Sequence, residues 1–118
     1  MGKLMETKLG KIEISEEVIA TIAGSAAIEC YGLVGMASRK ISDGVSGLLK
    51  RENLSKGVTV TFREDQVIID LNIIVGYGTK ISEVASNVMD RVRYTVETMT
   101  GLKVAEVNVN VQGVRFLE

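Results

Sequence analysis

The stretch VIIDLNIIVGYGTKISEVA, residues 67–85, contains a strand, a turn and the start of a helix. Apolar residues alternate from Val67 to Val75, which is the period-two pattern of a strand with one buried face. Glycines 76 and 78 end the strand, and Thr79 or Ser82 is predicted to cap the helix that follows. Apolar residues then recur at helical spacing to about residue 100, so one side of this helix is predicted to be buried.

The same signals extend outward from this stretch in both directions. Residues 57–63 alternate as a strand and join the strand at 67–75 through a short turn, which predicts a hairpin. Ser15 is predicted to cap a first helix that runs to about residue 31. Further short strands are predicted at residues 10–14, 33–37 and 103–112. The element order is therefore strand-helix-(strand)-hairpin-helix-strand.

This order predicts an α+β fold in which secondary structure forms two layers. We expect a two-layer sandwich, with two main helices packed on one face of a mostly antiparallel sheet of four to five strands. The 118 residues suit a single domain spanning 1–118. Within it, residues 1–8 are predicted to be a flexible N-terminus, and residues 39–56 an irregular basic segment.

The composition excludes several classes of function. The net charge of −1 argues against nucleic acid as a partner, since phosphate binding usually requires a basic domain. The chain has no histidine and one cysteine, Cys30, which removes the usual ligands of transition metals and the commonest general base. No catalytic, metal-binding or cofactor-binding residues are therefore predicted, and the protein is expected not to be an enzyme. No apolar run is long enough to span a membrane, so a cytoplasmic location is expected.

Two segments are candidate interaction surfaces. The first is the basic segment 39–56, represented by Lys50 and Arg51, and the second is the glycine turn that carries Tyr77 and Lys80. The turn has an alternative interpretation, because glycine-rich backbone before a helix can bind a phosphorylated or acyl metabolite. Residues 45–52 also have an alternative interpretation as an amphipathic helix that binds the membrane surface peripherally.

Several motifs along the chain resemble those of one known family. They are GKIEIS (10–15), EVI (17–19), AGSAA (23–27), GLVGMAS (32–38), VGYGTKISEVA (75–85) and VNVQGVR (109–115). Together they resemble the alkaline-shock, or general-stress, envelope-response family of Gram-positive bacteria. The resemblance is greatest to short members encoded beside a fatty-acid kinase.

The resemblance implies a non-enzymatic protein in the cell-envelope stress response and in membrane lipid homeostasis. It implies partners that are other proteins, such as a membrane-anchored protein or a lipid-metabolism enzyme, and it implies self-association. It also implies a place at the inner face of the membrane that is reached through such a partner. The family offers no catalytic residues to transfer to this chain.

Overall fold

The computed structural model describes residues 2–37 and 55–116, and the predicted α+β class is confirmed. The elements in chain order are β1 (Gly2–Thr7), β2 (Gly10–Ser15), α1 (Glu16–Ile28), β3 (Leu33–Met36), β4 (Val58–Arg63), β5 (Gln66–Gly76), α2 (Ile81–Thr100) and β6 (Lys103–Arg115). Strands β1 and β2 form a hairpin of their own, and the other four strands form the main sheet.

Strand β5 is the centre of the main sheet and is paired on both edges. Along one edge it pairs antiparallel with β4 through its first half, and with the short β3 through residues 73–75. Along the other edge it pairs parallel with β6 over its whole length. The β5–β6 pair is the parallel one in the described sheet, because α2 returns the chain to the end where β5 began.

Asn72 occupies the point on β5 where the neighbouring strand changes from β4 to β3. Its N–H donates to the carbonyl of Gly57, and its carbonyl accepts from the N–H of Ala37, both at 2.9 Å. Its side-chain Nδ2 also donates to Gly57, while its Oδ1 accepts from Nε2 of Gln112 at 3.1 Å. The side chain is buried, and both of its polar atoms have a hydrogen-bond partner, as expected for polar groups in the interior.

The core lies between the helices and one face of the sheet. Strand β5 contributes a row of wholly buried side chains, namely Val67, Ile69, Leu71, Ile73 and Val75. Helix α2 contributes four buried valines one helical turn apart: Val84, Val88, Val92 and Val96. Helix α1 contributes mostly small residues, namely Ile19, Ala20, Ala23, Gly24, Ala26 and Ala27, which let it lie close to its neighbours. These residues belong to one apolar cluster, so both helices cover the same face.

The N-terminus differs from the sequence-based expectation. Residues 2–7 form β1, paired antiparallel with β2, rather than the flexible N-terminus expected over residues 1–8. The Thr7 hydroxyl accepts from the N–H groups of Leu9 and Gly10 and donates to the Gly10 carbonyl. Met5 and Ile14 pack against the core. The turn bonds and this packing order a segment whose polar composition does not indicate a strand.

Two helix starts test the capping predictions. Ser15 caps α1 as predicted, since its Oγ accepts from the N–H of Val18 at 3.3 Å. The prediction for α2 is wrong: the N-cap is Lys80, which makes no side-chain capping bond. The Thr79 hydroxyl instead donates backwards to the Gly76 carbonyl, so it stabilises the turn rather than the helix.

Most of the basic segment 39–56 lies outside the described residues, including Lys50 and Arg51. Ser55 and Lys56 are described and belong to a turn that leads into β4. Within it, the N–H of Val58 donates to the Ser55 carbonyl at 3.2 Å. Both Lys50 and Arg51 therefore remain sequence-based candidates.

Replacing Gly57 by alanine is expected to lower the free energy of unfolding by about 2–5 kcal/mol, or to prevent folding. Its φ of +80° costs roughly 1–2 kcal/mol for an L side chain. A Cβ there would also overlap the Ala37 carbonyl oxygen, and overpacking of this kind adds about 1–3 kcal/mol. Urea denaturation measures the loss.

The matched control for this substitution is Gly78→Ala. Gly78 also has positive φ, at +94°, but a Cβ there would meet nothing within 4 Å. It should therefore lose only the roughly 1–2 kcal/mol of backbone strain. Equal losses of unfolding free energy in the two variants would show that contact with the Ala37 carbonyl is not what requires glycine at position 57.

Candidate functional site

The turn between β5 and α2, residues 76–80, is held by hydrogen bonds to two other parts of the chain. The Gly76 N–H donates to the carbonyl of Gly32 at 2.9 Å, and the Tyr77 N–H donates to the carbonyl of Arg115 at 2.7 Å. The Thr79 hydroxyl donates to the Gly76 carbonyl at 2.7 Å. Because the turn is bonded to the segment after α1 and to the end of β6, it presents the Tyr77 side chain from a fixed backbone.

Tyr77 stacks on Phe116, the residue that follows β6. The ring centroids are 4.4 Å apart and the ring planes make an angle of 28°. The two residues, called here the aromatic pair, are 64% and 74% exposed respectively. Aromatic residues carry much of the burial in cores and interfaces, so two stacked and exposed rings form a preformed apolar contact surface.

The sequence identified Tyr77 and Lys80 as candidates for interaction but did not identify Phe116. The reason is the parallel pairing of β5 and β6, which brings the ends of both strands to the same side of the sheet. A strand–helix–strand order with a long helix is the signal of such a crossover. Recognising that signal would have placed the end of the last strand beside Tyr77.

Among the described residues, the charged residues nearest in sequence to the aromatic pair are mainly positive. Lys80 and Arg115 are both exposed, and neither forms an ion pair within the part of the chain that the structure describes. The first turn of α2 contains one carboxylate, that of Glu83. The surroundings of the pair are thus suited to an acidic surface rather than a basic one.

The same turn is the place where the sequence suggested binding of a phosphorylated or acyl metabolite. The absence of a side-chain cap on α2 leaves the start of that helix open to an external acceptor. Against this, the Glu83 carboxylate already lies in the first turn, where it interacts favourably with the helix dipole and would repel an anion. Binding of a metabolite at residues 76–80 stays a prediction.

A second concave surface, called here the helix groove, lies between the end of α1 and the middle of α2. Its volume is about 440 Å³, and it is lined by Glu29, Cys30, Tyr31, Asn87, Asp90, Arg91 and Tyr94. The two tyrosines are 87% and 70% exposed. Arg91 Nη2 forms a 2.7 Å ion pair with Glu29 Oε1 across the groove.

Cys30 lies in the helix groove, where it is half-buried. Burial raises the pKa of its thiol; the positive charge of Arg91 opposes the rise, and the negative charge of Glu29 adds to it. The thiol donates weakly to the carbonyls of Ala26 and Asn87, at 3.8 and 3.9 Å. A thiol with a raised pKa is protonated at neutral pH, so it is not an activated nucleophile.

Among the described residues, no group of three or more histidine, cysteine, aspartate or glutamate side chains is arranged to hold a metal ion. No helix within residues 2–37 and 55–116 is long and apolar enough to cross a membrane.

Comparison with protein families gives one match that covers most of the chain. Residues 4–116 match the family of alkaline-shock protein 23, which is described as having a cell envelope-related function. The chain belongs to this family. The resemblance carried by the motifs is confirmed, and a cell-envelope role at this coarse level comes with the family.

Relatives of this alkaline-shock family member occur in Gram-positive bacteria. The chain is 56% identical to YloU, an uncharacterized protein of Bacillus subtilis, over 94% of its own length and 93% of the relative's. It is 38% identical to YqhY of the same organism, over 94% of its own length and 82% of the relative's. It is 29% identical to a stress response regulator gls24 homolog of Streptococcus pyogenes, over 92% of its own length and 61% of the relative's.

Neither the family description nor the names of these relatives indicate an enzyme. The comparison with solved structures found no match.

In this alkaline-shock family member, the pKa of Cys30 tests how burial and the Arg91 charge act on the thiol in the helix groove. We expect the rate of alkylation by iodoacetamide to rise with pH at a higher midpoint in the folded protein than in the unfolded chain, because burial disfavours the thiolate. Arg91→Ala should move the midpoint still higher, since it removes the charge that favours the thiolate. Mass spectrometry of the modified chain gives the rates.

Asp90→Ala is the control, because Asp90 lines the same groove but is not among the charges that shift the pKa of Cys30.

The raised pKa of Cys30 also links stability to pH. Since the folded pKa lies above the unfolded one, the protonated thiol contributes stability below the unfolded pKa, and that contribution is lost as pH rises through the folded pKa. A midpoint that falls in Arg91→Ala would contradict this account.

Proposed function

We propose that this protein is a non-enzymatic protein-interaction module that acts in the cell-envelope stress response and in membrane lipid homeostasis. The observation that carries the proposal is the aromatic pair, in which Tyr77 and Phe116 are stacked, exposed and mounted on a hydrogen-bonded backbone. The family description and the stress-regulator name of one relative support the setting.

The aromatic pair has the properties of a binding hot spot. Tyrosine is enriched among the residues that dominate binding energies, and a stacked ring loses little side-chain freedom when a partner covers it. The hydrogen bonds of Gly76 and Tyr77 fix the backbone, so little ordering is required on binding. When no other protein is bound, the outer face of each stacked ring is exposed to water, and burying these faces is favourable.

The charges around the aromatic pair indicate the kind of partner. Lys80 and Arg115 favour a partner whose surface is acidic around an apolar centre. The basic segment 39–56, with Lys50 and Arg51, would strengthen attraction to the same kind of surface. The proposed partners at this surface are a membrane-anchored protein or an enzyme of lipid metabolism. Self-association with further copies of this chain is proposed in addition, at a different surface.

Such a partner would determine where the protein acts. We propose a cytoplasmic protein that is held at the inner face of the membrane through its partner.

A pull-down of the tagged full chain from native lysate, with and without membranes, tests the proposal. We expect a partner at near-stoichiometric recovery, and a loss of about tenfold or more in affinity for it in Tyr77→Ala and in Phe116→Ala, since truncating a hot-spot residue costs about 2 kcal/mol or more. Circular dichroism confirms that each variant is folded.

Tyr94→Ala is the matched control, because Tyr94 is a tyrosine of similar exposure, 70% against 64%, on a different surface. It should retain the partner. The proposal fails if the wild-type chain recovers no near-stoichiometric partner, or if both aromatic-pair variants recover it as well as the wild type. Loss in Tyr94→Ala alone would move the site to the helix groove.

A further inference from the structure

Strand β6 is an edge strand with one side occupied. It is the longest strand of the described chain, at 13 residues, and it pairs with β5 along one side from Lys103 to Arg115. No other described strand pairs with it. An edge strand presents a row of backbone N–H and C=O groups to which another strand can bind.

Both ends of β6 are engaged by other parts of the chain. At its beginning, the Val104 N–H donates to Glu97 Oε2 at 2.9 Å, and Arg93 Nη2 donates to the Ala105 carbonyl at 3.1 Å. At its other end, the Arg115 carbonyl accepts from the Tyr77 N–H on the side that faces β5. Between these contacts, no side chain or loop of the described residues hydrogen-bonds the backbone of residues 107–114.

The sequence of this open stretch lacks two of the usual protections of an edge strand. Residues 107–114 read VNVNVQGV, with no charged residue and no proline. Natural sheets discourage edge pairing with charged residues, proline, short strands or β-bulges. Strand β6 has register shifts between Val104 and Glu106 and between Val111 and Gly113, so residues 107–111 are its regular part. Strand β4 at the other edge is only six residues long and ends at Arg63, so it is protected in this way. Compared with β4, β6 therefore offers the longer and less charged edge for pairing.

We infer, resting on the self-association in the proposed function, that β6 pairs with β6 of a second copy of this chain, antiparallel about a two-fold axis at Asn110. Two copies related by such an axis present the same edge to each other, so their main sheets continue as one. Asn110 then lies opposite Asn110 of the partner copy, and Val109 lies opposite Val111. Val111, 36% exposed in the single chain, becomes covered.

The charges that flank the open stretch fit this arrangement. Glu106 immediately precedes it and Arg115 immediately follows it, and both are exposed. Glu106 also lies 3.9 Å from Arg63 Nη2 within its own chain, in a solvent-exposed ion pair. Antiparallel pairing about Asn110 brings Glu106 of one copy within one residue of the position opposite Arg115 of the other. This happens at both ends of the shared edge, so the paired strands have an uncharged middle and opposite charges at each end. Such complementarity favours a second copy over an unrelated strand.

The first test changes the residue on the axis. The single chain has a mass of 12.8 kDa, and wild type is expected to sediment at twice that mass. Asn110→Lys and Asn110→Glu should each sediment as single chains, because like charges directly opposite one another disfavour strand pairing. An equimolar mixture of the two variants should regain the double mass.

Thr61→Lys is the matched control. Thr61 is exposed on β4, the opposite edge strand of the same sheet, so this variant should keep the double mass. If Thr61→Lys dissociates the dimer and Asn110→Lys does not, the shared edge is β4 and the inference is wrong.

A cysteine variant tests the same contact without relying on charge. Residues directly opposite in an antiparallel pair have Cα atoms about 4.5–5.5 Å apart, within the range of a disulfide. Oxidised Asn110→Cys should therefore run as a reducible dimer, whereas Thr61→Cys should not, with Cys30 present in both. This variant decides the matter if Asn110→Lys fails to fold.

A wild-type chain that sediments as a single chain at its highest soluble concentration would overturn the inference. If, in addition, Asn110→Lys fails to recover a different protein that the wild-type chain recovers in the pull-down, the β6 edge belongs to that other partner. Tyr77→Ala leaves the edge intact and should keep the double mass. The result for β6 is thus independent of the result for the aromatic pair.

Discussion

The whole described structure depends on β5 having hydrogen-bonding partners on both edges while one of its faces is buried. At Asn72 the backbone bonds to Gly57 and to Ala37, so one residue joins the end of β3 to the start of β4. The glycine is needed because any side chain at 57 would overlap Ala37. Because the Asn72 side chain also reaches Gln112 on β6, the same residue connects both edges of the sheet.

This central strand also positions the candidate site. The parallel pairing of β5 with β6 brings residue 77 beside residue 116, and this places two exposed rings in a stack. The turn between β5 and α2 is fixed by bonds to Gly32 and Arg115 rather than by a helix cap. The turn backbone is therefore fixed while the two rings are exposed. This combination lets aromatic side chains bind a partner at low entropic cost.

Small residues explain how a chain with few aromatic residues builds a stable core. Alanine and glycine on α1 let it approach the valines of α2 and the buried row of β5. The three tyrosines and Phe116 are consequently not needed in the core, and all four are exposed. The apolar area they leave in water lies on the aromatic pair and in the helix groove, so the surface available for partners follows from how the core is packed.

The sequence by itself determined the α+β class, the element order from β2 onward, the buried face of β5 and the Ser15 cap, because hydrophobic period and capping chemistry are local properties of the chain. It also determined the family, and it made Tyr77 a candidate for interaction. Only the tertiary structure decided that residues 2–7 form a strand, that Lys80 begins α2, and that Phe116 completes the aromatic pair. Each of these depends on contacts between residues distant in sequence or on a choice among competing hydrogen bonds. Such long-range contacts, and the choice among competing hydrogen bonds, are not encoded in the residue pattern of any single segment.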